Sequence, residues 1–167
     1  SASYVNAPAV PLERTIAMLN MDMVGRLADR PLIVNGTGTA EEWGPLLERA
    51  AERAGVELAM SPDGYGPSDQ TSFYARDIPV LHFFTNVHGE YHRPEDDWQL
   101  IDFGGIDRVA SIVTDVVRGL GDLDGVTRVR QTAPAPAAGG SSGTWLGTVP
   151  DFTPVENGVK LSGVSAG

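Results

Sequence analysis

Two short segments carry side chains whose types suit metal binding. Asp22 ends an apolar run in the stretch Asn20-Met21-Asp22. A carboxylate at the end of a buried strand is costly unless a cation meets it. His92 follows Tyr91 in a polar loop, and neutral imidazole is a common zinc ligand. Because the chain contains no cysteine, any metal must be held by His, Asp and Glu side chains.

Both residues also have an ordinary structural interpretation. Asp22 could cap a loop or pair with Arg26, and sequence physics slightly favours that interpretation. His92 lies in a charged, solvated loop. A ligating histidine needs an acceptor for its second ring nitrogen, and three nearby acids are candidates: Glu95, Asp96 and Asp97.

A third candidate follows a loop that is rich in glycine and proline. Residues 64–67 predict a tight turn, after which Ser68 or Asp69 starts a short helix. Asp69 is either an N-cap or a supporting residue beside a metal site. His88 is a weaker candidate for a ligand, and His82 lies within an apolar strand, where we predict a hydrogen-bonded core residue. The chain has neither a nucleophile-elbow pattern nor a phosphate-binding glycine loop.

The candidates must be positioned by strands that alternate with helices. Apolar runs predict strands at residues 14–21, 31–35, 56–60 and 79–84. Apolar spacing predicts three helices. The first follows Thr39 as its N-cap, has Glu41 and Glu42 in its first turn and ends before Gly55, and the others cover residues 69–75 and 106–120. This order indicates an α/β domain with a largely parallel or mixed sheet. Sites in such sheets form at the carboxyl ends of strands, where Asp22 and the His92 loop both fall.

Composition excludes several classes of partner. The formal net charge of −10 argues against nucleic-acid binding and against docking on an anionic membrane surface. No apolar run is long enough to span a bilayer. Residues 131–143 are low in complexity and predict a linker. Two short strands are predicted after it, at residues 144–149 and 158–164.

Three segments, taken in order, resemble the M28 family of zinc aminopeptidases. They are residues 17–25 (AMLNMDMVG), 68–73 (SDQTSF) and 91–97 (YHRPEDD). The resemblance covers about residues 1–120 and corresponds to the C-terminal half of the catalytic domain. It implies part of a three-layer zinc-exopeptidase-like fold with a mixed, largely parallel sheet, followed here by a β-rich C-terminal tail.

The resemblance also implies roles for individual residues. Family members hold two zinc ions that are bridged by a carboxylate and by the water that attacks the peptide bond. Asp22 would ligate one zinc and His92 the other, Tyr91 would stabilise the oxyanion, and Asp69 would support the site. The family has a histidine after the Ser-Asp pair, but this chain has Gln70, which puts any role for that position in doubt.

The remaining catalytic residues of the family are expected upstream of Asp22. They are a first His ligand, a bridging Asp and a pair of Glu residues that includes the general base. Glu13 is the only acid before Asp22 in this chain. A zinc site needs about three or four protein ligands. We therefore expect the chain alone to bind zinc weakly and to be inactive.

The same resemblance predicts the domain organisation. Residues 1–123 would be the C-terminal half of the peptidase domain, residues 124–143 a linker, and residues 144–167 the truncated opening of a PDZ-like domain. A peptide substrate and a periplasmic or extracellular location are implied, whereas the oligomeric state stays open. Two alternatives remain: a glutaminyl cyclase of the same fold, and a non-catalytic interaction domain.

Overall fold

The computed structural model describes residues 1–129, 148–151, 158 and 160–164. In chain order the helices and strands are α1 (Ala2–Asn6), β1 (Met18–Asp22), β2 (Leu32–Asn35), α2 (Trp43–Ala54), β3 (Leu58–Ser61), α3 (Gln70–Tyr74), β4 (Val80–Phe84), α4 (Phe103–Gly121), β5 (Thr148–Asp151) and β6 (Lys160–Val164). Single 3₁₀ turns cover Leu12–Arg14, Val24–Arg26 and Trp98–Leu100.

The first four strands form one mixed sheet in the order β1-β4-β2-β3. Strand β1 is parallel to β4, and β2 is parallel to β3, but β2 and β4 are antiparallel. The predicted α/β fold with a mixed, partly parallel sheet is therefore confirmed. The carboxyl ends of β1 and β4 share one edge of the sheet.

One face of the sheet carries the apolar core. Alternate strand residues point to the same face, and Leu32, Val34, Leu81 and Phe83 pack there against helices α2 and α4. These helices contribute buried side chains at helical spacing: Trp43, Leu47, Val109, Ile112 and Val116. Helix α3 packs against β1 and β4, which gives the fold its third layer.

The alternate strand positions carry a row of polar side chains. Asn20 of β1 and Asn35 of β2 both pair in register with His82 of β4. Asp22 lies two residues beyond Asn20, so it belongs to the same face. The polar row and the apolar core therefore lie on opposite faces of the sheet.

Several predicted element starts are wrong by two residues or more. Strand β3 begins at Leu58 rather than at residue 56, and helix α4 begins at Phe103 rather than at residue 106. Strand β1 begins at Met18 rather than at residue 14, because residues after Pro11 form a 3₁₀ turn. Helix α2 begins at Trp43 with Glu42 at the N-cap position, so Thr39 is not its cap. Thr39 is 1 % exposed, and its hydroxyl lies 2.7 Å from the carbonyl oxygen of Gly36 and accepts a hydrogen bond from Trp43 Nε1 at 2.9 Å.

The end of the described α/β unit lies beyond α4. The backbone N–H of Val129 donates to Thr39 O at 2.9 Å, and Glu41 N donates to Thr127 O at 3.3 Å. The unit therefore continues through Val129. The predicted linker at residues 131–143 lies outside the described residues.

Strands β5 and β6 form an antiparallel pair. Across the described ranges, no helix combines the length and the apolar character that crossing a membrane requires.

Candidate active site

The sheet topology brings the two candidate segments to one edge. Asp22 is the last residue of β1 and pairs in register with Phe84, the last residue of β4. The chain segment that carries Tyr91 and His92 leaves β4 at this point. The rule that sites form at the carboxyl ends of strands therefore applies to both segments.

A buried threonine holds the turn that follows Asp22. Thr85 is 3 % exposed, and its hydroxyl donates to the carbonyl oxygen of Met23. The same hydroxyl accepts from the backbone N–H of Arg26 at 3.2 Å. Met23 has a φ of +51°, a left-handed conformation that is uncommon outside glycine. These contacts fix the direction in which the chain leaves Asp22.

The carboxylate of Asp22 is oriented by a chain of hydrogen bonds. Ser68 Oγ donates to Asp22 Oδ2 at 2.7 Å. Asn20 Nδ2 donates in turn to Ser68 Oγ at 2.9 Å and lies 3.1 Å from Gln70 Oε1. Gln70 is 1 % exposed, so the chain is anchored in the interior. This arrangement turns Oδ2 towards Ser68 and leaves Oδ1 without a hydrogen bond from the described residues.

Tyr91 and His92 line an open cleft beside this edge. The cleft has a volume of about 460 Å³, and its lining includes Met23, Arg26, Trp98 and Ile101. The rings of Tyr91 and His92 meet edge-on with their centroids 4.0 Å apart. Both side chains are exposed, and His92 has a φ of +57°. Four other non-glycine residues of the described part of the chain share such a φ: Met23, Ala28, Asp77 and Asn86.

An ion-pair network joins the loop to the end of β1. Arg26 Nη2 lies 2.6 Å from Asp96 Oδ1, and Arg26 Nη1 lies 3.7 Å from Glu90 Oε2. His88 touches the same two carboxylates, at 3.2 Å from Glu90 and 3.7 Å from Asp96. The pKa of Glu90 is held below its ordinary value, first by its own backbone N–H and then by His88 and Arg26.

The network bears on two predictions from the sequence: the pairing of Asp22 with Arg26, and the acidic residue that would accept from His92. Arg26 pairs with Glu90 and Asp96, so the alternative in which Asp22 pairs with Arg26 is not what the structure shows. Of the three acids suggested as acceptors for His92, Asp96 binds Arg26 instead, and Asp97 accepts from the backbone N–H of Trp98 at 2.8 Å.

Asp69 lies at the N-cap position of α3 but caps it with no side-chain hydrogen bond. Its Oδ1 accepts from Ser1 Oγ at 2.8 Å. The neighbouring Ser68 is the residue that contacts Asp22. Sequence reasoning missed this contact because it treated Ser68 only as a helix start. The available signal was that Asn20 and Asp22 share one strand face and that Ser68 begins the helix predicted directly after the glycine-rich turn.

His82 is a core residue, as the sequence predicts. It is 5 % exposed, and its Nδ1 lies 3.3 Å from Asn35 Nδ2. Burial lowers the pKa of His82, although the nearby charge of Asp22 opposes that shift. The Nε2 atom has no hydrogen-bond partner among the described residues. The lowered pKa favours the neutral imidazole, and His82 contributes a polar group near Asp22.

The metal-binding capacity of the chain depends on donor type and donor number. Asp22 and His92 supply the carboxylate and imidazole that zinc accepts. Nowhere in residues 1–129 or the described strands of the tail do three or more His, Asp or Glu side chains form a group that could hold a metal ion. The donor chemistry fits zinc, whereas these residues alone do not complete a site.

Solved structures that are similar in fold include bacterial aminopeptidases. An aminopeptidase from Aneurinibacillus sp. strain AM-1 superposes with a TM-score of 0.58 and 27 % identity, covering 80 % of this chain and 32 % of that one. BSAP, a zinc aminopeptidase from Bacillus subtilis, gives a TM-score of 0.60 and 25 % identity over 78 % of this chain and 33 % of its own. The chain thus spans about a third of these relatives.

The LapA aminopeptidase of Legionella pneumophila shares the fold at 20 % identity, with a TM-score of 0.53 over 63 % of this chain and 30 % of its own. No curated protein matches the sequence. The family model described as peptidase family M28 matches residues 1–117, which include all four candidate residues. With the fold and the strand-end placement of Asp22 and the Tyr91–His92 loop, this match establishes that the chain belongs to peptidase family M28.

Proposed function

We propose that this chain is part of a zinc-dependent aminopeptidase that hydrolyses N-terminal peptide bonds. The observation that carries the proposal is the placement of Asp22 and of the Tyr91–His92 loop at one sheet edge, within a chain of a peptidase family. The similar solved structures are named as aminopeptidases, which favours this activity over that of a glutaminyl cyclase.

Asp22 and His92 would hold zinc in this proposal, each as one ligand of an ion. The zinc pair, when bound, would supply Lewis-acid polarisation of the scissile carbonyl and a water of lowered pKa. Ser68 keeps the Asp22 carboxylate in one orientation, which is how outer hydrogen bonds usually support a ligand. Tyr91 is exposed in the cleft beside His92, and its hydroxyl would donate a hydrogen bond to the developing oxyanion. Asp69, next to Ser68, would support the same loop.

The other groups of the site are proposed to lie in residues upstream of this chain. They would supply the first His ligand, the bridging Asp and the Glu that acts as general base. The chain alone would then be inactive. We further propose a peptidase part, a linker and the opening of a PDZ-like domain, for which the sequence predicts the ranges 1–123, 124–143 and 144–167. The hydrogen bonds of Thr127 and Val129 to the segment before α2 favour an end of the peptidase part at or beyond residue 129 rather than at 123. A periplasmic or extracellular location is also proposed.

The test uses the parent protein, meaning the protein that carries this chain together with the upstream residues. It is assayed with aminoacyl-nitroanilides after chelation and after zinc is restored. We expect release of nitroaniline that requires zinc and a free N-terminal amine on the substrate. Catalytic turnover that persists without zinc would contradict the proposal, and the absence of both turnover and bound zinc would favour the non-catalytic interaction domain.

A further inference from the structure

Arg26 occupies a place in the fold that links the two candidate ligand segments. It lies four residues after Asp22, in the 3₁₀ turn Val24–Arg26, and its backbone N–H is fixed by Thr85. Its side chain is only 16 % exposed and reaches Glu90 and Asp96. These two acids flank Tyr91 and His92 on both sides in the sequence. One cation therefore contacts the loop before and after its two functional residues.

The loop has little else that could hold Tyr91 and His92 in place. All residues from 91 to 100 are exposed, so apolar burial contributes little to their position. The local backbone bonds are single turns, from Tyr91 N to His88 O at 3.1 Å and from Arg93 N to Glu90 O at 2.9 Å. Isolated turns of this kind open easily. Among the described residues, the charged contacts of Arg26 with Glu90 and Asp96 tie this segment to the turn after β1.

We propose that Arg26 is a positioning residue that clamps the Tyr91–His92 loop to the segment following Asp22. The inference rests on the proposed function in so far as Asp22 and His92 are zinc ligands. Arg26 would not touch zinc or substrate. A guanidinium presents several N–H donors in a fixed fork and can therefore bridge two carboxylates, whereas a lysine ammonium acts as a point charge. The clamp keeps His92 at a fixed place relative to Asp22 before any metal arrives.

The first test measures the loop itself, without metal or activity. Amide hydrogen exchange is recorded on the metal-free parent protein for the wild type, Arg26→Met, Arg26→Lys and Asp96→Asn. We expect the amides of Tyr91 and Arg93 to exchange about tenfold faster in Arg26→Met, which is what the loss of a hydrogen bond between charged groups would give. Arg26→Lys should fall between the wild type and Arg26→Met. Adding Asp96→Asn to Arg26→Met should cause little further change, because both remove one interaction.

The matched control is Arg53→Met. Arg53 also pairs with an aspartate, Asp115 at 3.3 Å, but it is 72 % exposed and joins α2 to α4 away from the cleft. This variant should leave the exchange of the Tyr91 and Arg93 amides unchanged. Wild-type exchange rates in Arg26→Met, or an equal acceleration in Arg53→Met, would overturn the clamp. Circular dichroism shows whether each variant has folded, and Asp96→Asn tests the same contact from the other partner.

The second test connects the clamp to the metal. Zinc affinity is measured by competition with a chromophoric chelator in the same variants. We expect Arg26→Met to bind zinc about tenfold more weakly than the wild type, the lower end of the effect of outer contacts on metal sites, with Arg53→Met unchanged. If the wild type binds no zinc, the proposed function fails. If the wild type binds zinc and Arg26→Met binds it equally well, the clamp fails while the proposed function stands.

Discussion

At the scale of single residues, the orientation of Asp22 depends on its neighbours. The sequence identifies Asp22 because a carboxylate ends an apolar strand. The structure adds Ser68, whose hydroxyl is 2.7 Å from Oδ2, and Asn20, which holds Ser68 in turn. The strand face shared by Asn20 and Asp22 and the helix start at Ser68 hint at this partner but do not fix it, because 46 residues separate Ser68 from Asp22 and only the packing of α3 on β1 brings them together.

The contact between Ser68 and Asp22 leads to a prediction for zinc affinity. Ser68→Ala in the parent protein removes the hydrogen bond that fixes one carboxylate oxygen. We expect zinc to bind about 10- to 100-fold more weakly, as is usual when an outer partner of a ligand is lost. Chelator competition measures this change. Ser111→Ala, at an exposed position of α4, is the control, and unchanged affinity in Ser68→Ala would show that the contact does not support the ligand.

At the scale of helices and strands, the buried Thr39 connects two elements. Its hydroxyl accepts from Trp43 Nε1 at 2.9 Å and from the backbone N–H of Val80 at 3.0 Å. It thereby joins the start of α2 to β4. A turn-forming threonine ahead of a helical pattern predicts an N-cap, and the prediction is wrong here because tertiary contacts offer this hydroxyl better partners.

The substitution Thr39→Val tests whether this hydroxyl stabilises the contact between α2 and β4. The substitution keeps the shape but leaves two buried N–H donors without an acceptor, and each such loss costs about 1–3 kcal/mol. We expect the free energy of unfolding, from urea titration, to fall by at least this amount. Thr114→Val on the exposed surface of α4 is the matched control. A loss no larger than that of the control would mean that Thr39 does not hold α2 to β4.

The N-terminus of α4 gives a prediction about pH. Asp102 caps this helix by accepting from the backbone N–H of Gly105 at 2.8 Å, and its other oxygen accepts from the backbone N–H of Ala28, outside the helix, at 2.8 Å. These bonds, with help from Arg108, hold the pKa of Asp102 below its ordinary value of 3.8. The unfolded chain therefore takes up this proton at a higher pH than the folded one. The stabilisation is fully present above pH 3.8 and is lost as the pH falls through the lower pKa of the folded state.

Asp102→Ala should accordingly reduce the free energy of unfolding at neutral pH by about 1 kcal/mol, the usual value of an N-cap. The difference from the wild type should shrink as the pH falls below 3.8. Denaturant titrations at several pH values measure both effects. Asp124→Ala, at an exposed position after the helix, should change little. A difference that stays constant down to the lowest pH would contradict the assigned cap.

At the scale of the whole molecule, the alternation of strands and helices was sufficient to predict the fold class. The strands at residues 32–35, 58–61 and 80–84 are found close to where apolar runs place them. The antiparallel placement of β4 next to β2 could not be predicted, because strand order depends on contacts distant in sequence. That order puts Asp22 and the His92 loop at one edge, whereas the Arg26 network depends on side-chain geometry that spacing does not encode.

Experiments on the isolated chain test whether the proposed zinc site needs residues from outside this chain. With two donors of its own, it should bind zinc weakly and release no product from aminoacyl-nitroanilides, because a zinc site needs about three or four ligands. Equilibrium dialysis and the release assay on the purified chain measure this. Activity that copurifies with the chain through repeated chromatography and is inhibited by chelation would contradict the expectation.

The most direct measurement of the central claim is the zinc content of the parent protein and of its Asp22→Ala and His92→Ala variants after dialysis against buffered zinc. Asp124→Ala serves as the control, and release of nitroaniline is recorded for each protein. The account predicts that the wild type and the control retain zinc and turn over substrate, whereas each ligand variant loses zinc together with activity. Ligand variants that retain wild-type zinc and wild-type turnover would contradict it.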